Sequence, residues 1–205
     1  MYAETLATGH RAIWSLPEHL HTANLVLILH DAGSTPETVA EHYFSHLPPG
    51  TTGLALQAGF NAAFGHQWFT SQDHQYQNFP EILSAAHRVF DAIDDDEYGT
   101  TSYDSIQVLG IGQGAALATT LLRVRPEALN GVVGLNGYVI DNPMLAALDG
   151  PGENTQSKRV LWITFGEELD HPSAEFATQW LTAHTRLVEA KTTSAITPFL
   201  SQNVS

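Results

Sequence analysis

The residues with the clearest chemical meaning form a glycine-rich turn, Gly110-Ile111-Gly112-Gln113-Gly114, which directly follows the apolar run 106–109. A strand that ends in a sharp turn and continues at once as a helix lifts the middle residue of the turn above the sheet. A serine at that place would be a nucleophile for acyl transfer. Here the middle residue is Gly112, which has no side chain and cannot form a covalent acyl intermediate. The pattern predicts that the turn is kept and the nucleophile is absent.

Metal chemistry is the second possibility, because the chain has 11 histidines. His42 and His46 have the i, i+4 spacing of two ligands on one helix face, but no third ligand is evident in the sequence. We therefore predict surface histidines, no metal site and no cofactor. The chain has no cysteine, which excludes a disulfide framework, a thiolate zinc site and a catalytic thiol.

The elements that must position these residues alternate between apolar runs of strand length and segments with helical spacing. This alternation is typical of an α/β fold in which helices cover both faces of a mostly parallel sheet. The strongest strand patterns cover residues 25–29, 106–109, 131–137 and 160–166, and less regular ones cover 10–16, 52–57 and 185–190. Helices are predicted over 35–46, 79–92, 114–124, 173–184 and 196–203, with a loop at 149–157.

Length and charge restrict the class of protein further. A chain of 205 residues is predicted to form one domain, 1–205, without a cap or lid domain. Its formal charge of −14, from 8 Lys and Arg against 22 Asp and Glu, argues against a nucleic-acid partner. The N-terminus lacks the pattern of a signal peptide, and no run reaches the ~18 apolar residues of a membrane span. We expect a soluble, cytoplasmic protein.

Four segments together resemble the phospholipase/carboxylesterase branch of the α/β-hydrolase fold, the small lid-less esterases related to acyl-protein thioesterases and lysophospholipases. The resemblance covers nearly the whole chain and implies a three-layer fold with a central sheet of about seven strands. Its segments are Leu-His-Asp-Ala-Gly at 29–33, Gly-His-Gln-Trp-Phe at 65–69, Leu-Gly-Ile-Gly-Gln-Gly-Ala-Ala-Leu-Ala at 109–118 and Val-Gly-Leu-Asn-Gly-Tyr at 133–138.

The resemblance implies a role for several residues. The backbone N–H groups of Ala32 and Gln113 take the oxyanion-hole positions, and they can favour an anion or a polarised carbonyl. Asp31 replaces a glycine of the family pattern: its carboxylate either points at this hole, where it would repel an anion, or turns to solvent or caps a turn. Trp68 and Phe69 either line a ligand pocket or fill the core.

The catalytic residues of the family are the part that departs from the pattern. Gly112 stands at the serine position, no histidine follows His184, and the family's acid position holds Leu169, with Asp170 one residue late. An engineered knockout of the serine would have left the histidine in place, so we favour a natural loss of the triad. Asp170 and His171 could instead act as a relocated acid and base on a water above Gly112, although adjacent side chains seldom converge on one point.

Two hypotheses of function follow. The first is a non-catalytic homologue, a pseudoenzyme, that binds or regulates through a small acyl or ester-like ligand or a protein partner, and that could form a homodimer. The alternative is an active hydrolase of small esters or thioesters that uses relocated residues. An intact pocket beside His171 and Asp170 would favour the enzyme, whereas a collapsed pocket would favour a protein-interaction role.

Overall fold

The structure is a computed structural model, and it describes residues 1–6, 8–70, 78–94, 103–149, 157–166 and 172–202. Within these ranges one large sheet contains eight strands and a short ribbon contains two more. The large sheet is formed by β1 (Tyr2–Thr5), β2 (Arg11–Trp14), β3 (Asn24–Leu29), β4 (Thr52–Leu56), β7 (Ser105–Ile111), β8 (Gly131–Leu135), β9 (Arg159–Ile163) and β10 (Arg186–Ala190). The ribbon pairs β5 (Phe60–Asn61) with β6 (His66–Gln67).

The order of strands in the large sheet is β1-β2-β4-β3-β7-β8-β9-β10. The six strands from β4 to β10 in this order are parallel to their neighbours, and β2 and β1 are added antiparallel at one edge. The carboxyl ends of the parallel strands therefore lie along one edge of the sheet, where the loops at 30–35 and 112–113 meet.

Helices lie on both faces of the sheet. They are α1 (Pro36–Tyr43), α2 (Phe79–Asp94), α3 (Gln113–Val124), α4 (Pro143–Ala146), α5 (Pro172–His184) and α6 (Ile196–Ser201). Two separate apolar clusters show the layers: buried residues of α2, α3 and α5 pack on one face, and those of α1 and α6 on the other. Along β3, Leu25, Leu27 and Leu29 belong to the first cluster, whereas Val26 and Ile28 belong to the second. This alternation is that of a strand buried on both faces.

The predicted fold class is confirmed, since a mostly parallel sheet carries helices on both sides. All seven strand patterns of the sequence are strands in the structure. The eighth strand of the large sheet is β1, whose four side chains are all exposed, so that it has no buried apolar face; it pairs antiparallel with β2. Among the described residues, no helix is long and apolar enough to cross a membrane.

Candidate functional site

The glycine-rich turn connects β7 to α3. Gly112 has φ of +53° and ψ of −114°, a backbone conformation that is strained for any residue with a side chain. Its N–H donates to the carbonyl of Leu135, at a distance of 2.9 Å, which ties the turn to the end of β8. At Gly114 a side chain would overlap the backbone of Leu29, because α3 passes directly over the end of β3. The tight turn that the sequence predicts is present, and its geometry requires glycine for two different reasons.

The carboxylate of Asp31 lies directly in front of this turn. Its Oδ1 accepts hydrogen bonds from the backbone N–H groups of Ala32 and Gln113, each at 2.7 Å. Its Oδ2 makes no hydrogen bond to any residue that the structure describes, and the residue as a whole is half exposed. Of the two placements that the sequence left open for Asp31, the structure shows the one at the N–H pair. Both donors are therefore occupied by an anion of the chain itself.

The space above Gly112 is also taken by Asp31. A Cβ atom built on Gly112 would overlap the Cγ and both carboxylate oxygens of Asp31. Contacts as short as these do not occur between real atoms, so one of the two groups would have to move. The carboxylate thus fills the volume in which the side chain of a nucleophile would lie. It belongs to the loop after β3, the strand beside β7, and not to the turn itself.

The imidazole of His30 supports the backbone of this loop. Its Nδ1 lies 2.7 Å from the carbonyl of Asp31, which fixes the proton on Nδ1, and its Nε2 accepts from the N–H of Ala58 at 3.1 Å. Burial lowers the pKa of His30 below its ordinary value of 6.5, and the hydrogen bond to the Asp31 carbonyl opposes this only in part. The ring is neutral and fully buried, with both nitrogens engaged. It therefore acts as a structural link and has no free nitrogen to serve as a general base.

The side chain of Gln113 holds the segment at 68–69 against the turn. Its Oε1 accepts from the N–H of Trp68 at 2.7 Å, and its Nε2 donates to the carbonyl of Phe69 at 2.8 Å. The indole N–H of Trp68 in turn donates to the carbonyl of His30 at 2.8 Å. Trp68 and Phe69 are both fully buried and belong to the apolar cluster beneath α3. Of the two roles left open by the sequence, the structure shows these aromatic residues in the core.

The other sequence candidates lie away from this cluster or outside the described residues. Asp170 and His171 fall in the segment 167–171, which lies outside the described residues. His42 Nδ1 bonds the carbonyl of Thr38 within α1, and His184 stacks on Trp180 with 5.1 Å between ring centroids. No group of three potential metal ligands occurs among the residues that the structure describes.

Asn136 is a site residue that the sequence did not single out. It follows β8 directly, and its φ of +44° is positive although it is not glycine. Its Oδ1 accepts from the backbone N–H of Phe165 at 2.7 Å, which connects the ends of β8 and β9 beside the turn. Asparagine tolerates this conformation better than most residues. The only signal in the sequence is its place between a buried strand and Gly137.

Comparison with solved structures identifies the fold. A carboxylesterase from Mesorhizobium loti superposes with a TM-score of 0.76 and 17% identity, covering 98% of this chain and 99% of that one. The chain has the α/β-hydrolase fold. Acyl-protein thioesterase 2 of Zea mays is similar with a TM-score of 0.74, 15% identity and coverage of 95% and 99%. A Bacillus cereus carboxylesterase has a TM-score of 0.74, 12% identity and coverage of 96% and 94%.

These identities are low, and the likeness to carboxylesterases and thioesterases is therefore one of fold. The sequence itself matches no protein-family model and no curated protein. The chain spans nearly the full length of the solved structures named above, so the α/β-hydrolase fold accounts for the described elements from end to end. What the chain does with this fold depends on the residues at the turn.

Proposed function

We propose that this protein does not transfer acyl groups and that it acts as a binding or regulatory protein on an α/β-hydrolase scaffold, for a small acyl or ester-like ligand or for a protein partner. The observation that carries the proposal is the Asp31 carboxylate, whose Oδ1 accepts both N–H groups in front of Gly112. An acyl-transfer site must keep such donors free for the oxyanion that develops in the transition state. Here a carboxylate of the chain itself occupies both donors.

The size of the two losses supports this proposal. Removal of one oxyanion donor slows acyl transfer by about 10² to 10³, and removal of the nucleophile by about 10⁶. An ester carbonyl that entered the site would have to displace a charged carboxylate from two hydrogen bonds of 2.7 Å, and it would find no hydroxyl at Gly112. Both N–H donors are occupied and no nucleophile is present, so the geometry favours binding without turnover.

The test is hydrolysis of short-chain p-nitrophenyl esters and of a matching thioester by the purified protein. We expect the parent protein to remain at the rate of the uncatalysed reaction. Gly112→Ser should also stay silent, because the new side chain and the Asp31 carboxylate compete for one volume. Hydrolysis well above background in the parent, lost in His171→Ala and kept in His184→Ala, would overturn the proposal and establish a hydrolase with relocated residues.

A further inference from the structure

An open surface groove of about 560 Å³ lies between the start of β2 and helix α2. Its volume falls in the range of roughly 300–1,000 Å³ that is usual for small-molecule sites. We call it the α2 groove, and its lining includes His10, Phe79, Leu83, His87, Arg88 and Asp91. It is separate from the turn at Gly112, because none of these residues forms a hydrogen bond to the turn in the part of the chain that the structure describes.

The α2 groove lies at the edge of the sheet where ligands of parallel α/β proteins bind. His10 directly precedes β2, and in the antiparallel pair of β2 and β4 the register places Ala12 opposite Leu56, at the carboxyl end of β4. The carboxyl ends of parallel strands are the usual place of ligand sites in such sheets. The groove is thus on the same edge of the sheet as the turn, and β4 and β3 lie between β2 and β7.

Arg88 gives the α2 groove a guanidinium that forms no ion pair with any carboxylate among the described residues. Arg11, Arg123 and Arg125 each form an ion pair with a carboxylate. Arg88 is half buried and makes no ion pair or hydrogen bond to the residues that the structure describes. In a chain with 22 acidic and 8 basic residues, a half-buried guanidinium without a carboxylate partner is unusual.

The guanidinium of Arg88 lies beside Gly59. Its Nε lies 3.2 Å and its Cζ 3.3 Å from the point where a Cβ of residue 59 would be, so only a residue without a side chain leaves this space open. A larger residue at 59 would push the guanidinium away. Because the fork of a guanidinium is planar and pre-organised, less side-chain entropy is lost per hydrogen bond when it binds a planar anion.

The rest of the lining favours an amphiphilic ligand. Phe79 and Leu83 lie one turn apart on α2, and both are partly exposed to the groove, so they offer an apolar surface beside the guanidinium. Asp91 lies one turn beyond Arg88 on the same helix and adds a negative charge at the rim. That charge opposes a dianion such as phosphate more strongly than it opposes a monoanion.

We propose that the α2 groove binds a small monocarboxylate with a short apolar chain, with the carboxylate on Arg88 and the chain over Phe79 and Leu83. The inference rests on the proposed binding function and gives it a site and a ligand class. A carboxylate matches the planar fork of a guanidinium with two parallel hydrogen bonds. The turn at Gly112 cannot take such an anion, because Asp31 already occupies its donors.

The experiment is a calorimetric titration of the full chain with hexanoate, with hexanol as the uncharged probe of the same length and inorganic phosphate as the dianion. We expect hexanoate to bind at least about tenfold more tightly than either probe, and Arg88→Gln to weaken it by about tenfold or more. Arg88→Lys, which keeps the charge and loses the planar fork, should retain part of the affinity. Arg186→Gln, the same change at an exposed arginine of β10, should leave hexanoate binding unaltered.

Three results would overturn the site: no binding of hexanoate, equal binding of hexanol, or full affinity in Arg88→Gln. Thermal denaturation of each variant shows whether a loss of affinity is due to unfolding of the protein. Ester hydrolysis in the same preparations separates the two proposals. Activity toward esters would refute the proposed function whatever hexanoate does, whereas silence toward esters with no hexanoate binding would refute only the ligand and its site.

Discussion

Gly112→Ser should destabilise this protein rather than restore a hydrolase. The serine Cβ would overlap the Asp31 carboxylate, so the carboxylate must leave the N–H groups of Ala32 and Gln113. Serine would also hold a φ of +53°, at a cost of about 2 kcal/mol. Two hydrogen bonds to a half-exposed carboxylate contribute about 1.5 kcal/mol together. We expect the free energy of unfolding to fall by about 3.5 kcal/mol.

The overlap can be isolated with a double-mutant cycle. Asp31→Gly loses the same two hydrogen bonds and adds backbone freedom to the unfolded chain, so we expect a destabilisation of about 2 kcal/mol in total. In the double variant the hydrogen bonds are lost only once. We therefore expect a destabilisation of about 4 kcal/mol, which is about 1.5 kcal/mol less than the sum of the two single destabilisations. Gly50→Ser is the matched control, since Gly50 has φ of +77° and no neighbour within 4 Å of its Cβ position. It should show the backbone strain alone.

Urea denaturation followed by tryptophan fluorescence measures all four variants against the parent protein. Strict additivity of Asp31→Gly and Gly112→Ser would refute the competition for one volume. A Gly112→Ser protein no less stable than Gly50→Ser would refute it as well. In either case the proposed function would lose its main support, because the carboxylate would not be fixed in front of the turn.

Two further predictions concern the residues around this carboxylate. The folded state lowers the pKa of His30 below 6.5, so its contribution to stability is full above that pH and is lost as the pH falls toward the folded pKa. Urea denaturation at pH 7.5 and 5.5 should therefore show that the free energy of unfolding falls less between these two pH values in His30→Gln than in the parent. An equal fall in both proteins would contradict the assignment. Gln113→Ala leaves the N–H of Trp68 and the carbonyl of Phe69 buried without partners, and we expect about 2–4 kcal/mol of destabilisation by the same method. An exposed change on the same scaffold, Gln179→Ala on α5, should cost less than about 0.5 kcal/mol.

The turn could be predicted from the sequence because local physics determines it. An apolar strand followed by glycines at 110, 112 and 114 matches a sharp turn into a helix packed against its own strand, and at Gly110 and Gly114 no other residue type allows so close a backbone approach. The central strands β3, β4 and β8 could be predicted for a similar reason, since burial on both faces leaves continuous apolar runs. β1 has no such run, and only its partner β2 makes it a strand.

The placement of Asp31 could not be predicted, because it depends on a contact across 82 positions of the chain, between Asp31 and Gln113. The sequence shows that a carboxylate follows His30, but not which way it points. The same holds for His30, whose buried ring is satisfied by an N–H at Ala58, 28 residues away. Trp68 and Phe69 were ambiguous for a related reason, since large aromatic residues serve equally in pockets and in cores.

The pairing of Asp31 with Gly112 has a historical consequence. If an ancestor of this chain had a serine at 112 and a glycine at 31, the way back to it requires two changes, and neither is favourable alone. Serine at 112 enters an occupied volume while the aspartate remains, and glycine at 31 vacates the donors while no hydroxyl is there to use them. Each intermediate is expected to be less stable than the present protein and no more active. The pair would then act as a ratchet, which keeps serine at 112 and glycine at 31 from returning one mutation at a time.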